Sequence, residues 1–220
     1  MISIIMSVYN NEDSLEKAIE SILNQTYKDI EFLIIDDKSS DSSLEILNKF
    51  KKIDSRIKIY SNSTNIGLTK SLNKLIKLTK GKLIARQDAD DFSSIERLDE
   101  QIKFMNKYNL DACTTRARII GSDKLRPRFT IYFPNKLIIK FKNPFIHGTL
   151  LIKKEIINSV GNYDENFYYS QDYKLFFDLL SKGYKIKTMK TSHYFLNIKN
   201  NISTNFRAEQ AFFANKIKNL

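Results

Sequence analysis

Apolar residues along this chain fall into two rhythms. Residues 2–9, 30–35 and 83–86 are near-continuous apolar runs bounded by polar clusters, the pattern of strands buried on both faces. Between them apolar positions recur at helical spacing. Leu15, Ala18, Ile19, Ile22 and Leu23 form one stripe, and Leu44, Ile46, Leu47 and Phe50 a second. A third runs through Leu68, Leu72, Leu75, Ile76 and Leu78 to a stop at Gly81. Residues 57–60 alternate like a short strand. Three strand–helix units followed by a strand predict an α/β fold with a largely parallel sheet covered by helices.

The second half is less regular. Helices are expected over 95–108, 137–141, 156–160 and 171–181, the last burying Leu175, Phe176, Leu179 and Leu180. Strands are expected over 112–120, 150–152 and 184–189, and a terminal helix over 205–220. Residues 122–135 read as a basic loop. No repeat or Ser/Gly linker divides the 220 residues, so one domain is expected.

The polar loops of the first half all follow strands, which gathers them on the carboxyl edge of the sheet, where open α/β sheets hold ligands. They are Tyr9-Asn10, Asp36-Asp37, Asn65 to Gly67, and Asp88, Asp90 and Asp91. Asp-x-Asp is also an ordinary acidic turn. At the end of a buried strand it can instead hold a hard divalent cation that clamps phosphate oxygens. No Gly-x-Gly-x-x-Gly or Gly-Lys-Ser/Thr loop is present, which weakens dinucleotide and P-loop readings.

Charge narrows the partners. The net charge is +11, which admits nucleic acid, an anionic membrane surface or phosphorylated substrates. The lysines look scattered, and no nucleic-acid module is evident. The single cysteine, Cys113, excludes an internal disulfide and suits a reducing cytoplasm. No apolar run approaches the roughly 20 residues of a membrane span. The apolar N-terminus lacks a basic flank and reads as a first strand, not a signal peptide.

Taken in order, these motifs resemble the family 2 nucleotide-sugar glycosyltransferases, which have the GT-A fold. The likeness covers residues 2 to about 203, through Ser7-Val8-Tyr9-Asn10, Asp36-Asp37-Lys38-Ser39, Asn65-Ile66-Gly67 and Ala85-Arg86-Gln87-Asp88-Ala89-Asp90-Asp91. It continues through Arg97-Leu98-Asp99-Glu100-Gln101, Asn143-Pro144-Phe145-Ile146-His147, Gly161-Asn162-Tyr163-Asp164 and Gln171-Asp172-Tyr173.

The resemblance implies a Rossmann-like, mixed but mostly parallel sheet flanked by helices. Residues 1–92 would form the nucleotide-sugar half, 93–204 the acceptor-binding and catalytic half, and 205–220 a C-terminal helix. It implies that Val8, Tyr9, Asp36 and Asp37 form a base-and-ribose pocket, with Tyr9 stacking on the base and a carboxylate accepting its imide hydrogen. Asn65, Gly67 and Arg86 would complete the donor contacts. Asp88 and Asp90 would orient the ribose and ligate Mn²⁺ or Mg²⁺, with His193, expected just beyond the 184–189 strand, as a third ligand. Asp172 matches the general base, its helix N-terminal position keeping it ionised; an aspartate there is also a plain helix cap. His147 would line the floor of the site. Two positions depart from the family pattern: Gln171, where Glu is common, and Asp178, where Arg is common.

The implied activity is metal-dependent, inverting transfer of a hexose or N-acetylhexosamine from a nucleoside-diphosphate sugar, a UDP-sugar, to a glycan hydroxyl. The acceptor would belong to bacterial surface polysaccharide, capsule or lipooligosaccharide synthesis. A lipid-linked glycan at the inner face of the cytoplasmic membrane would suit the basic surface, with no nucleic-acid partner. The alternative is a non-catalytic nucleotide-sugar-binding relative or a synthase partner subunit. A nucleotidyltransferase would carry a glycine-rich first loop, and residues 9–13 have no glycine.

Overall fold

The computed structural model describes residues 1–198 and 206–220. Strands β1 (Ile2–Val8), β2 (Ile30–Asp36), β3 (Ile57–Ser61) and β4 (Leu83–Arg86) alternate with helices α1 (Glu12–Leu23), α2 (Ser43–Ile53) and α3 (Leu68–Leu78). Then come β5 (Phe92–Ser93), α4 (Arg97–Tyr108), β6 (Ala112–Ile119), β7 (Leu125–Arg126) and α5 (Asn135–Ile138). The chain ends with β8 (Leu151–Lys153), α6 (Lys154–Ser159), α7 (Gln171–Ser181), β9 (Ile186–Leu196) and α8 (Arg207–Lys218). The expected start of the last helix at residue 205, and the division at 204, lie outside the described residues.

One sheet runs in the order β3-β2-β1-β4-β8-β6-β9-β5, with β7 paired to β6. The first four strands are parallel, β8 is antiparallel to β4 and to β6, and β6 and β9 are parallel to each other. Alternation across the central strands makes two cores. Ile4, Met6, Phe32, Ile34 and Ala85 pack with α1, α2 and α4 on one face, while Ile5, Leu33, Ile35 and Ile84 pack with α3, α6 and α7 on the other. The periodicity therefore found the right strands for the right reason: both faces are dry.

A carboxylate also lies within this sheet. Glu31 is 4% exposed and accepts hydrogen bonds from Ser3, Lys58 and the Lys80 backbone. Burial pushes its pKa up, but these bonds more than offset that, so it lies below the usual range. Cys113 is free and buried, and burial pushes its thiol up to about 12.

The structure departs from expectation mainly in the second half. β9 spans eleven residues, Ile186–Leu196, where a strand over 184–189 was expected. Its distal part, Lys190 to His193, is polar and gives no apolar signal. It becomes a strand by pairing with β6 across a register irregularity and then with β5. The two-residue strands β5 and β7 have no periodicity to read. α5 starts two residues before the expected 137–141 helix, on the Pro134 cap.

Candidate active site

Val8 is buried at the end of β1, and Tyr9 beyond it is 50% exposed, leaving its ring free to stack. Asn10 takes a left-handed conformation at φ 50°, and its side-chain oxygen accepts from the Ser40 amide at 2.8 Å, tying the first loop to the second. At the end of β2, the Asp36 carboxylate accepts from the Ser39 amide. Asp37, 2% exposed, accepts from the Asn62 side chain at 2.8 Å, the Ile66 amide at 2.9 Å and the Gly67 amide at 2.8 Å. Both of its oxygens are thus engaged in shaping the 62–67 loop. In this arrangement Asp37 braces the 62–67 loop. Asn65 is exposed, and its Oδ1 also accepts from the Gly67 amide, at 3.2 Å.

Gly67 is required where it stands. Its φ is +85°, and a Cβ there would lie 2.7 Å from the Tyr168 ring. The loop from the first half therefore touches the aromatic loop that precedes α7.

The acidic loop follows β4. Arg86, 1% exposed, donates to the carbonyls of Ile5 and Gln87 and forms an ion pair with Asp88. Burial opposes the guanidinium charge, but Asp88 more than restores it. Arg86 therefore props Asp88 from beneath. The Gln87 amide closes the loop by donating to the carbonyls of Asp88 and Asp91, each at 3.0 Å. The Asp88 amide donates to the Tyr194 hydroxyl at 3.1 Å, and the Asn197 amide donates to Asp91 at 2.6 Å. β9 thus fastens the loop from the far side. Gly148 sits against it: a Cβ there would collide with both the Tyr194 hydroxyl and Asp88 Oδ2. Arg97, fully buried, donates to the carbonyls of Gly148 and Arg86, each at 3.1 Å, and so holds that approach.

Burial and then the neighbouring Asp88 charge push Asp90 up to about 6. Asp91 is pushed well up by burial and by Asp88 and Asp90. Among the described residues, no three His, Cys, Asp or Glu side chains converge into a metal cage. What Asp88 and Asp90 offer is a pair of hard oxygen donors crowded by each other's charge. That fits a Mg²⁺- or Mn²⁺-type ion whose coordination is completed by phosphate and water.

His193 is not brought to this pair. It lies within β9, its ring bonded to Ser94 and Thr191 at 3.2 and 3.1 Å, and it neighbours Tyr194, whose side chain reaches Asp88. The sequence placed it after the strand; the longer β9 moves it inside.

Asp172 is half-buried in the first turn of α7, where Asn143 donates to its Oδ2 at 2.7 Å. The helix amides and Asn143 favour its charge, but burial outweighs them and raises its pKa, with the charge on Asp88 adding to the rise. The helix terminus therefore does not set its titration, as position alone suggested. His147 is held well below the usual imidazole range by burial and by Arg86, and its Nε2 meets the Tyr163 hydroxyl at 2.6 Å. A neutral His147 and a buried Tyr163 pair beside Arg86, and Tyr163 feels the charges of both Asp88 and Asp172. Gln171 is buried, and Asp178 pairs with Lys174 on its own helix.

Sequence reasoning singled out the loops but not Gly148 or Tyr194, which shape the space around Asp88. Gly148 directly follows the Asn143-to-His147 motif, a usable signal. Tyr194 had none, because its strand is not apolar.

The sequence matches the Glycosyl transferase family 2 profile over residues 3–176. It is 34% identical over 165 residues to the putative glycosyltransferase EpsE of Bacillus subtilis, covering 74% of this chain and 59% of EpsE. It is 35% identical over 205 residues to the O-antigen biosynthesis glycosyltransferase WbnJ of Escherichia coli, covering 90% of this chain and 78% of WbnJ. The chain thus spans less than two thirds of one of these relatives. In fold it is similar to S. aureus TarS in complex with UDP, at a TM-score of 0.78 and 19% identity over 94% of this chain and 62% of that one. The mannosyltransferase PcManGT of Pyrobaculum calidifontis, in complex with GDP-Man and Mn²⁺, gives 0.78 at 17% identity over 96% and 60%. The sheet and its helices are therefore the GT-A arrangement, and the chain belongs to glycosyl transferase family 2.

Proposed function

We propose that this protein is a metal-dependent, inverting glycosyltransferase that moves a hexose or N-acetylhexosamine from a UDP-sugar to a glycan hydroxyl in bacterial surface-polysaccharide synthesis. One observation carries the reading: Asp172, steadied by Asn143, shares an electrostatic neighbourhood with Asp88 at the edge where the donor loops meet. Tyr9 supplies an open ring for the base, and Asp36 and the loop framed by Asp37 supply the ribose side. Asp88 and Asp90 would hold Mg²⁺ or Mn²⁺, which supplies charge stabilisation to a departing nucleoside diphosphate. Arg86 orients Asp88 through their ion pair. Asp172 takes the proton of the acceptor hydroxyl, and its raised pKa strengthens it as a base. The relative named for O-antigen biosynthesis and the UDP held by TarS support the acceptor class and the donor nucleotide.

The test is nucleotide release from a panel of UDP-sugars, with Mn²⁺ or EDTA, for the wild type and Asp172→Asn. Release from one sugar that needs metal, and falls by about a hundredfold or more in the variant, is the expected result. UDP binding without release from any sugar, whatever acceptor is added, would favour a non-catalytic binder. Absence of any nucleotide or metal binding would refute the site.

A further inference from the structure

Residues 124–154 contain eight Lys or Arg and no Asp or Glu. Lysines that look scattered along the sequence are here concentrated. Lys124, Arg126, Arg128, Lys136, Lys140 and Lys142 are exposed, and none forms an ion pair among the described residues. Interleaved with them are exposed Phe129, Tyr132, Phe133, Leu137 and Phe141, the last at 72% exposure. Single exposed apolar side chains are ordinary; five within thirteen residues are not.

The segment is fixed from beneath. Thr130 and Ile139 are buried, Asn135 donates to the Ile186 carbonyl at 3.1 Å, and the Tyr173 hydroxyl donates to the Ile139 carbonyl at 2.7 Å. Helical bonding continues past α5, with Lys142 donating to the Ile138 carbonyl at 3.0 Å. Leu137 and Phe141, four residues apart, therefore share a face, as do Lys136 and Lys140.

We propose that residues 126–142 seat the protein on an anionic lipid bilayer, with the rings and Leu137 entering the headgroup layer and the cations meeting lipid phosphates. Apolar tips ringed by unpaired cations, without a carboxylate among them, are complementary to that surface. An aliphatic side chain such as Leu137 offers nothing to base stacking, which disfavours single-stranded nucleic acid. The segment leads directly into Asn143, the partner of Asp172, so a lipid-borne acceptor would reach the base from the membrane side. That last step rests on the transferase reading; the docking itself does not.

The experiment is vesicle flotation of the full chain on phosphatidylcholine alone and on phosphatidylcholine with roughly one third phosphatidylglycerol. We expect binding to be at least about tenfold tighter on the anionic vesicles. It should fall by about tenfold in Lys136→Glu/Lys140→Glu and in Phe133→Ser/Phe141→Ser, with unchanged melting midpoint and UDP binding. Equal binding to both vesicles, full binding by both double variants, or preference for a single-stranded RNA oligonucleotide would overturn the proposal. Loss of UDP binding in every form, with flotation intact, would remove the UDP-donor reading and leave the docking standing.

Discussion

Asp172 is a carboxylate whose surroundings disagree about its charge. Helix amides and Asn143 favour the anion, burial and Asp88 oppose it, and opposition prevails. In its proposed role as base it acts only when unprotonated, so activity should fall as pH falls through a pKa raised above the ordinary 3.8. Replacing Asn143 by Ala deletes a bond that lowers this pKa. The acid limb of the release rate should then move to higher pH, readable from kcat profiles of the two forms. A purely structural role for Asn143 would lower kcat without moving the limb. Asp37 shows the opposite economy: both of its oxygens accept from its own loop, from Asn62 and from the Ile66 and Gly67 amides. A motif says that an aspartate is wanted at such a position, but not whether it faces a ligand or its own loop.

At the scale of elements, the loop from Asn62 to Gly67 depends on that one carboxylate. Asp37→Ala would take the acceptor from the Ile66 amide and leave the Asn62 side chain and the Gly67 amide with only Ser71 and Asn65, costing about 1–3 kcal/mol for a buried group left unsatisfied. The expected outcome is a lower urea midpoint together with, under the proposed donor site, at least about tenfold weaker UDP binding by titration calorimetry. β1, β2 and β4 were legible because near-continuous apolar runs survive only where both faces of a strand are covered, and β3 because it alternates. β9 was half legible. Residues beyond Met189 are strand only because β6 and β5 lie beside them, a tertiary fact that local pattern does not carry. The site followed the same division: loops after legible strands were found, whereas Tyr194 was hidden by its strand.

Across the whole molecule, stability and charge meet inside the sheet at Glu31. Its depressed pKa means that it contributes stability above its unfolded value, near 4.5, and loses it as pH falls through the lower folded value. Glu31→Gln should cost about 1–3 kcal/mol at pH 7. In urea titrations the gap between the two proteins should narrow below pH 4.5, where the wild-type carboxylate is itself becoming neutral.

The fastening of the acidic loop by β9 also sets a sequence of events during synthesis. Four parallel strands and three helices are complete by residue 86, and Asp88 to Asp91 emerge directly after them. Yet the hydroxyl that receives the Asp88 amide and the amide that holds Asp91 lie at residues 194 and 197. More than a hundred residues must leave the ribosome before those two attachments can form. A nascent chain interrupted before Tyr194 would display the first four strands with the acidic loop beside them unfastened.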